Sequence, residues 1–286
     1  MIDALRYPRL FSSLVKLEHT VFALPFAYIG AFLAVDGIPR ARDLLWITVA
    51  MIGARSLAMA LNRLIDARID ARNPRTAGRE LPRGALTPTQ VVLFSLASLA
   101  VFLIAVYQLA PIVGWLWPIP MVAFVVYPYL KRVTWLSHAW LGAVDGLAPL
   151  GAWAAITNDL PWEAWLLGGA VAFWVSGFDL FYALFDVEID RAQDLRSFPA
   201  RFGVPATFAV ARTCHVLTVA CLVAAGLGLP VGALYWAGVA AVAGLLAYEH
   251  ALVSPSDLRR LDAAFFTLNG VISVSFFAFV LADVLA

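Results

Sequence analysis

Asn62-Arg63-Leu64-Ile65-Asp66-Ala67-Arg68-Ile69-Asp70 places an amide and two carboxylates at spacings of four residues. On a helix that spacing stacks the three side chains along one face. Such a column is a hard-oxygen surface of the kind that suits Mg²⁺, which takes a few carboxylates and completes its shell with water and phosphate. The pattern returns as Asp179-Leu180-Phe181-Tyr182-Ala183-Leu184-Phe185-Asp186-Val187-Glu188-Ile189-Asp190. Asp66 to Asp186 and Asp70 to Asp190 share an offset of 120 residues, and Tyr182 stands at that offset from Asn62. Two acidic columns in register point to a site; a structural ion-pair network is the competing reading, since it uses the same residue types.

The columns lie in a chain of 286 residues that is 62% hydrophobic, with a mean hydropathy of +0.84. That is too apolar for a soluble globular protein. Apolar runs fall near 20–38, 43–61, 90–109, 111–129, 138–157, 164–184, 208–228, 230–248 and 264–285. Each is about long enough to cross a bilayer as a helix. Arg6, Arg9 and Lys16 before the first run resemble the start of a signal peptide, but the many runs that follow make it the first spanning helix. The expected fold is therefore an all-α membrane protein of about nine transmembrane helices, with residues 1–286 forming a single membrane domain. The 120-residue offset spans four helices. An even number preserves orientation, so a duplication gives two parallel four-helix halves plus one helix, with the columns facing each other across a central cavity.

Charge is distributed to one side of this arrangement. Arg63, Arg68, Arg72, Arg75, Arg79 and Arg83 lie in or beside the first long connection, Lys131 and Arg132 in the second, Arg191, Arg196, Arg201 and Arg212 at the third, and Arg259 and Arg260 in the fourth. Only Arg40 and Arg42 fall opposite. The positive-inside rule makes the crowded side cytoplasmic, so both acidic columns are expected to open to the cytoplasm from a multi-pass protein of the cell inner membrane. No nucleic acid is expected as a partner. Cys214 and Cys221 are seven residues apart on one run, roughly 10 Å along a helix and too far to bridge. His19, His138, His215 and His250 lack metal-ligand spacing; His19 and His138 flank cytoplasmic helix ends, where they could touch substrate, with interfacial packing the favoured reading. Gly30, Gly142, Gly146 and Gly151 are expected to serve close helix packing. Trp115, Trp117, Trp162 and Trp165 lie near helix ends, as an interfacial belt requires.

Carboxylates alone would indicate a metal or proton site. Carboxylates interleaved with Arg68, Arg75 and Arg79, and mirrored by Arg191 and Arg196, indicate a ligand that itself brings negative charge. A diphosphate bridged by Mg²⁺ answers both, with acids holding metal and Arg or Lys holding the remaining oxygens. For any one arginine the plainer reading is that it sets topology and meets anionic lipid headgroups.

Asn62-x3-Asp66-x3-Asp70-x2-Asn73-x-Arg75-Thr76-x2-Arg79-x-Leu81-Pro82-x-Gly84 resembles the first signature of the UbiA superfamily of intramembrane aromatic prenyltransferases. Asp179-x2-Tyr182-x3-Asp186-x3-Asp190, with Ser197-x-Pro199-Ala200-Arg201-Phe202-Gly203, resembles its second, and Tyr129-x-Lys131-Arg132-x-Thr134 its intervening basic loop. Two positions depart from the pattern: Arg63, where many members carry an acid, and Asp194, where a glycine is common. The resemblance implies that Asn62, Asp66 and Asp70 hold one Mg²⁺ and that Asp186 and Asp190 hold another. The metals bridge the diphosphate of a polyprenyl donor, while Lys131, Arg132 and some of Arg75, Arg79 and Arg196 neutralise the rest. Asp66, Asp70, Asp186, Asp190 and Tyr182 are thus the expected catalytic residues. The allylic cation needs apolar surroundings, and Tyr182, Tyr129 or nearby rings could lend it π density.

Arg55 lies two turns deeper than Asn62 on nearly the same face. A charge at that depth usually has a partner: either a neighbouring Asp, or the carboxylate of an aromatic acid, since the 4-hydroxybenzoate branch of the family is basic there too. Asp145 is a second intramembrane acid, able to orient or deprotonate an acceptor hydroxyl or to pair with Arg55, and Asp179 is expected to line the same pocket. The expected activity is Mg²⁺-dependent transfer of a polyprenyl group to a phenolic aromatic acid in quinone biosynthesis. 4-Hydroxybenzoate is the first acceptor considered and a dihydroxynaphthoate of menaquinone biosynthesis the second, because Asn62-Arg63 and Asn73-Pro74-Arg75 resemble that subgroup as well. The rival of another class is a secondary transporter, which predicts broken helices and charges at the bilayer midplane.

Overall fold

The computed structural model describes residues 6–15, 20–254, 258 and 267–286. Twelve α-helices follow in order: α1 (Arg6–Val15), α2 (Thr20–Val35), α3 (Ala41–Asp70), α4 (Pro88–Val106), α5 (Pro111–Leu116), α6 (Pro118–Val133), α7 (Ser137–Thr157), α8 (Trp162–Tyr182), α9 (Val187–Ala192), α10 (Phe198–Gly228), α11 (Ala233–Leu252) and α12 (Asn269–Leu285). Every expected apolar run has a helix. Among the described residues, six spans are long and apolar enough to cross a membrane: Ala41–Asp70, Pro88–Val106, Pro111–Val133, Ser137–Thr157, Trp162–Ala192 and Phe198–Gly228. The run at 111–129 is divided into α5 and α6, each opening on a proline. Proline fits there because the first-turn N–H has no intrahelical partner to lose. The start of the 264–285 run, the expected helix boundary at His19, and Arg259 and Arg260 lie outside the described residues.

Helix α3 runs nine residues beyond the apolar run read for it, from 61 to Asp70. Nothing in 62–70 interrupts it: the segment has no Gly or Pro, and Arg63, Leu64, Ala67 and Arg68 are good helix formers. Pro74 stops any extension, because the residue before a proline is pushed out of the α region. The Thr76 hydroxyl donates to the Asp70 carbonyl at 2.9 Å, and Arg68 sits in the last turn, where a cation complements the helix dipole. The first acidic column is therefore a helical column.

The second is not. Helix α8 ends at Tyr182, a 3₁₀ turn covers Ala183–Asp186, and α9 begins at Val187. A 3₁₀ turn advances about 120° per residue instead of about 100°, so Asp186 and Asp190 swing away from the line that Asp179 and Tyr182 define. The expectation of a straight second column is corrected on this point.

Helix α7 packs along α8 and α2, α8 along α10, and α3 along α4, with α12 between α2 and α11. The approach of α7 to α8 depends on glycine. A Cβ on Gly142 would stand 2.1 Å from both the Ala172 carbonyl oxygen and Ser176 Oγ. On the other side of α7, a Cβ on Gly30 of α2 would stand 2.5 Å from the Pro149 carbonyl oxygen. One apolar core joins Phe26, Leu150, Trp153, Trp174, Tyr235 and Phe276, and a second joins Ala31, Ile47, Phe102, Val106 and Ala152. Leu93, Leu96, Ile104, Val122 and Val216 are more than half exposed, as lipid-facing positions would be. Trp115 is 84% exposed at a helix end, in keeping with the aromatic belt. Cys214 and Cys221 are free thiols.

Gly142→Ala is expected to destabilise the protein by about 2 kcal/mol, the middle of the range for overpacking. Gly244→Ala, where nothing lies within 4 Å of the added Cβ, is the control expected to leave thermal denaturation in detergent unchanged.

Candidate active site

Helices α3 to α8 enclose a cavity of about 520 Å³. Its walls are mainly apolar, including Met51, Phe102, Val106, Phe124, Val171 and Phe178, and its polar lining is Arg55, Asn62, Arg63, Arg79, Tyr127, Asp145, Asp179 and Tyr182. Among the described residues, α2 and α10 to α12 contribute none to the lining. They pack behind the cavity wall.

Charge concentrates at one end. Asp66, 2% exposed, accepts from Lys131 Nζ at 2.5 Å and from Arg132 Nη2 at 2.9 Å. Arg132 also donates to the Ile65 carbonyl. Asp70, 4% exposed, accepts from Arg79 Nη1 at 2.7 Å on both oxygens. Across the mouth, Arg75 forks onto Asp186, with Nε 3.0 Å from Oδ1 and Nη2 on Oδ2. Its Nη1 donates to the Tyr182 hydroxyl at 2.6 Å, and the guanidinium lies 5.1 Å from the Tyr182 ring centroid. Asn73 Nδ2 donates to Asp186 Oδ1 at 3.1 Å. Burial would pull the Arg75 guanidinium down, yet its hydrogen bonds to Asp186 and Tyr182 hold it above the usual arginine value. The loop after α3 is thereby tied to the second signature.

Asp190 on α9 is half-buried and feels the charges of Asp186, Lys131 and His138. Lys131 thus stands between the two columns. Arg196 is exposed; its backbone N–H donates to the Lys131 carbonyl and its Nη1 to the Val133 carbonyl, so it ties the second signature loop to the end of α6 and does not line the cavity. Arg68, Arg72 and Arg83 are exposed, as topology-setting residues would be. Tyr129 is 47% exposed and stacks under Arg132 at 5.0 Å, which places it outside the cavity lining.

Deeper in the cavity, Arg55 and Asp145 feel one another's charge but make no ion pair among the described residues, and Arg55 Nε has no hydrogen-bond partner. Asp179 accepts from His138, whose Nδ1 lies 2.7 Å from Oδ2. The Phe198 N–H donates to His138 Nε2 at 3.4 Å, which leaves the ring proton on Nδ1, facing Asp179. His138 is therefore more than the packing residue read from sequence. His215 and His250 pair at 3.0 Å outside the cavity lining. Tyr127 was missed: it lines the cavity and faces Asp179, Asp66, Asp145 and Tyr182. Its signal was its place one helical turn before Lys131.

No group of three or more His, Cys, Asp or Glu side chains among the described residues is arranged to hold a metal ion. Asp66, Asp70 and Asp186 are instead each held by Arg or Lys. The donor chemistry nonetheless fits Mg²⁺, because it consists of carboxylate and amide oxygens at a half-buried, charge-dense mouth. The Arg75 contacts bring the two signatures together at the mouth.

An apolar pocket closed at one end by carboxylates, arginines and a lysine, all within a polytopic helical bundle, marks a membrane-embedded protein with an amphipathic cavity. The chain belongs to the UbiA prenyltransferase family, which residues 23–271 match, and it is a prenyltransferase. A 4-hydroxybenzoate octaprenyltransferase of Aliivibrio fischeri is 29% identical over 273 residues, 96% of this chain and 92% of that protein. A 4-hydroxybenzoate solanesyltransferase of Synechocystis is 32% identical over 241 residues, 84% of this chain and 82% of that one. The apo structure of a UbiA homolog from Aeropyrum pernix superposes with a TM-score of 0.84 at 31% identity, covering 93% of this chain and 98% of its own. A UbiA homolog from Archaeoglobus fulgidus bound to GPP and Mg²⁺ shares the fold, with a TM-score of 0.73 at 16% identity, covering 97% and 100%. The transporter alternative falls with the family assignment; the interruption after α8 also lies at the charged mouth and not at mid-depth.

Asp66 and Lys131 are expected to be coupled. In a cycle of Asp66→Asn, Lys131→Met and the double variant, the coupling measured by denaturation in detergent should be about 1 kcal/mol. The value stays moderate because Lys131 is still 28% exposed and partly screened.

Proposed function

We propose that the protein transfers a polyprenyl group from its diphosphate to 4-hydroxybenzoate in quinone biosynthesis, with Mg²⁺, from a cytoplasm-facing mouth in the cell inner membrane. The observation that carries this reading is the polarity gradient of one cavity: paired acids and cations at the mouth, apolar walls, and Arg55 with Asp145 further in. The names of the relatives support the hydroxybenzoate over the dihydroxynaphthoate, and their octaprenyl and solanesyl donors support a long chain. A cavity of about 520 Å³ is of the size that holds one drug-sized ligand, so the rest of a long prenyl tail lies beyond it, between helices and in lipid. Cations crowd the mouth side, which supports its cytoplasmic placement.

Asn62, Asp66 and Asp70 from α3, and Asp186 and Asp190 from the bent second column, are the residues that would hold the metal. Bound there, Mg²⁺ supplies positive charge to the diphosphate as the allylic C–O bond ionises. Lys131, Arg132, Arg75 and Arg79 turn from their carboxylates to phosphate oxygens and hold the leaving group. Arg196 supports this set through the α6 carbonyls. The apolar wall keeps water from the allylic cation, and the rings of Tyr182 and Tyr127 present π density to it. Arg55 receives the acceptor's carboxylate. Asp145 and the His138-oriented Asp179 stand where the acceptor hydroxyl would lie, so that the ring attacks the allylic carbon as its proton is taken up.

The test uses purified protein in detergent with Mg²⁺ and a labelled polyprenyl diphosphate, offered 4-hydroxybenzoate and a dihydroxynaphthoate separately. Prenylated hydroxybenzoate is expected, with a loss of about 100-fold or more on Asp66→Asn or Asp186→Asn, typical for groups that stabilise developing charge, and loss on metal chelation. Product from the naphthoate alone would overturn the acceptor assignment. A companion variant, Arg55→Gln, is expected to raise KM for the acid by about 30-fold, the effect of removing one partner of a buried charge pair, with a smaller change in kcat.

A further inference from the structure

The cations that close the mouth are not alike. Lys131, Arg132, Arg79 and Arg75 each touch a carboxylate. Arg63 does not. It is only 5% exposed and lines the cavity, and its Nε has no hydrogen-bond partner. It makes no hydrogen bond or ion pair with any described residue. The charges that face it are Arg79, Asp70 and Glu80, with the Tyr182 oxygen beyond. Asp70 is already engaged on both oxygens by Arg79, and Glu80 accepts from Ser13 at 2.6 Å.

A buried guanidinium carries five donors in a planar fork and is costly to leave unused. Arg63 lies one residue after Asn62, so on α3 it looks onto the mouth from beside the acidic column. Its neighbour Arg79 is bound to Asp70; with Asp70 given over to a metal ion, Arg79 would lose its carboxylate partner and Arg63 would keep only the charge of Glu80, itself engaged by Ser13. Planar oxyanions such as a phosphate edge match that fork. The acid expected at this position from the family resemblance would have placed a negative charge where this chain has a positive one.

Resting on the donor assignment above, we propose that Arg63 is a diphosphate-binding residue, which grips the donor headgroup beside Arg79 and makes headgroup binding partly independent of Mg²⁺. Glu80 defines the competing role, in which Arg63 serves only as its buried counter-charge.

The experiment measures binding of farnesyl thiolodiphosphate, which resists ionisation, to the full chain in detergent, with Mg²⁺ and separately with EDTA. Wild type is expected to bind in EDTA within about tenfold of its affinity in Mg²⁺, and Arg63→Gln to lose about 30-fold in EDTA, with Arg63→Lys in between because an ammonium keeps the charge but not the fork. Arg63→Gln/Glu80→Gln removes both charges; it should recover the melting temperature of wild type and still bind weakly, and it serves in place of the single variant if that fails to fold. Unchanged affinity of Arg63→Gln in EDTA, or affinity restored along with stability in the double variant, overturns the proposal and leaves the donor assignment standing. Failure of folded wild type to bind in either condition overturns both.

Discussion

The mouth of the cavity depends on carboxylates answered by cations from elsewhere in the chain. Asp66 and Asp70 are one helical turn apart, so two unit charges about 6 Å apart repel by about 3 kcal/mol at an effective dielectric constant of 20. That repulsion, added to the cost of burial, would bend or melt the end of α3 if nothing offset it. Lys131 and Arg132 from the end of α6 offset it at Asp66, and Arg79 from the loop after α3 offsets it at Asp70. Arg75 extends the arrangement to Asp186 and Tyr182. Because the Arg75 ties cross from one half of the chain to the other, they shape the loop that closes the cavity as well as neutralising it.

The same ties make the site exchangeable. An Arg or Lys side chain on a flexible stem can move from a carboxylate to a phosphate oxygen without disturbing a helix, whereas a carboxylate released in this way is free to bind metal. On the proposed function, a diphosphate entering with its metal would replace one set of neutral pairs with another and leave little net charge at the membrane surface. The apolar wall below the mouth sets the second requirement of the chemistry, a water-poor place for a carbocation. These two requirements oppose one another. They are met by stacking charge and hydrocarbon along one axis, with α3 running through both.

How much of this was legible in the sequence follows from the kind of interaction involved. The spans were legible because hydropathy is a local average, and the first column because spacings of four on an uninterrupted helix fix a face. The bend of the second column was not. A change from α to 3₁₀ at Ala183–Asp186 leaves no mark in residue spacing, and the cross-mouth contact with Arg75 is a tertiary matter. Tyr127 carried a usable signal in its distance from Lys131, hidden by the closer and more conspicuous Tyr129. His138 carried none, since its partner Asp179 lies 41 residues away. The direct Arg55 pairing was one of two alternatives, and the structure leaves the arginine beside Asp145 without contact.

The two departures from the family pattern show why a residue type must be weighed by what its position demands. Asp194 stands where a glycine is common, and its φ is 55°, in the left-handed region that glycine enters without cost. Aspartate is among the few other residues that tolerate it. That departure bears on a turn, because the demand there falls on the backbone and the residue is exposed. Arg63 is the opposite case. Any good helix former satisfies the backbone in the middle of α3, so the demand falls entirely on a buried side chain at the edge of the cavity. Exchanging acid for base there alters the local charge by two units, about the charge of the diphosphate oxygens that one metal ion would otherwise balance. A difference of that size at a buried position is what the proposed headgroup role of Arg63 rests on, while the fold around it is the family's.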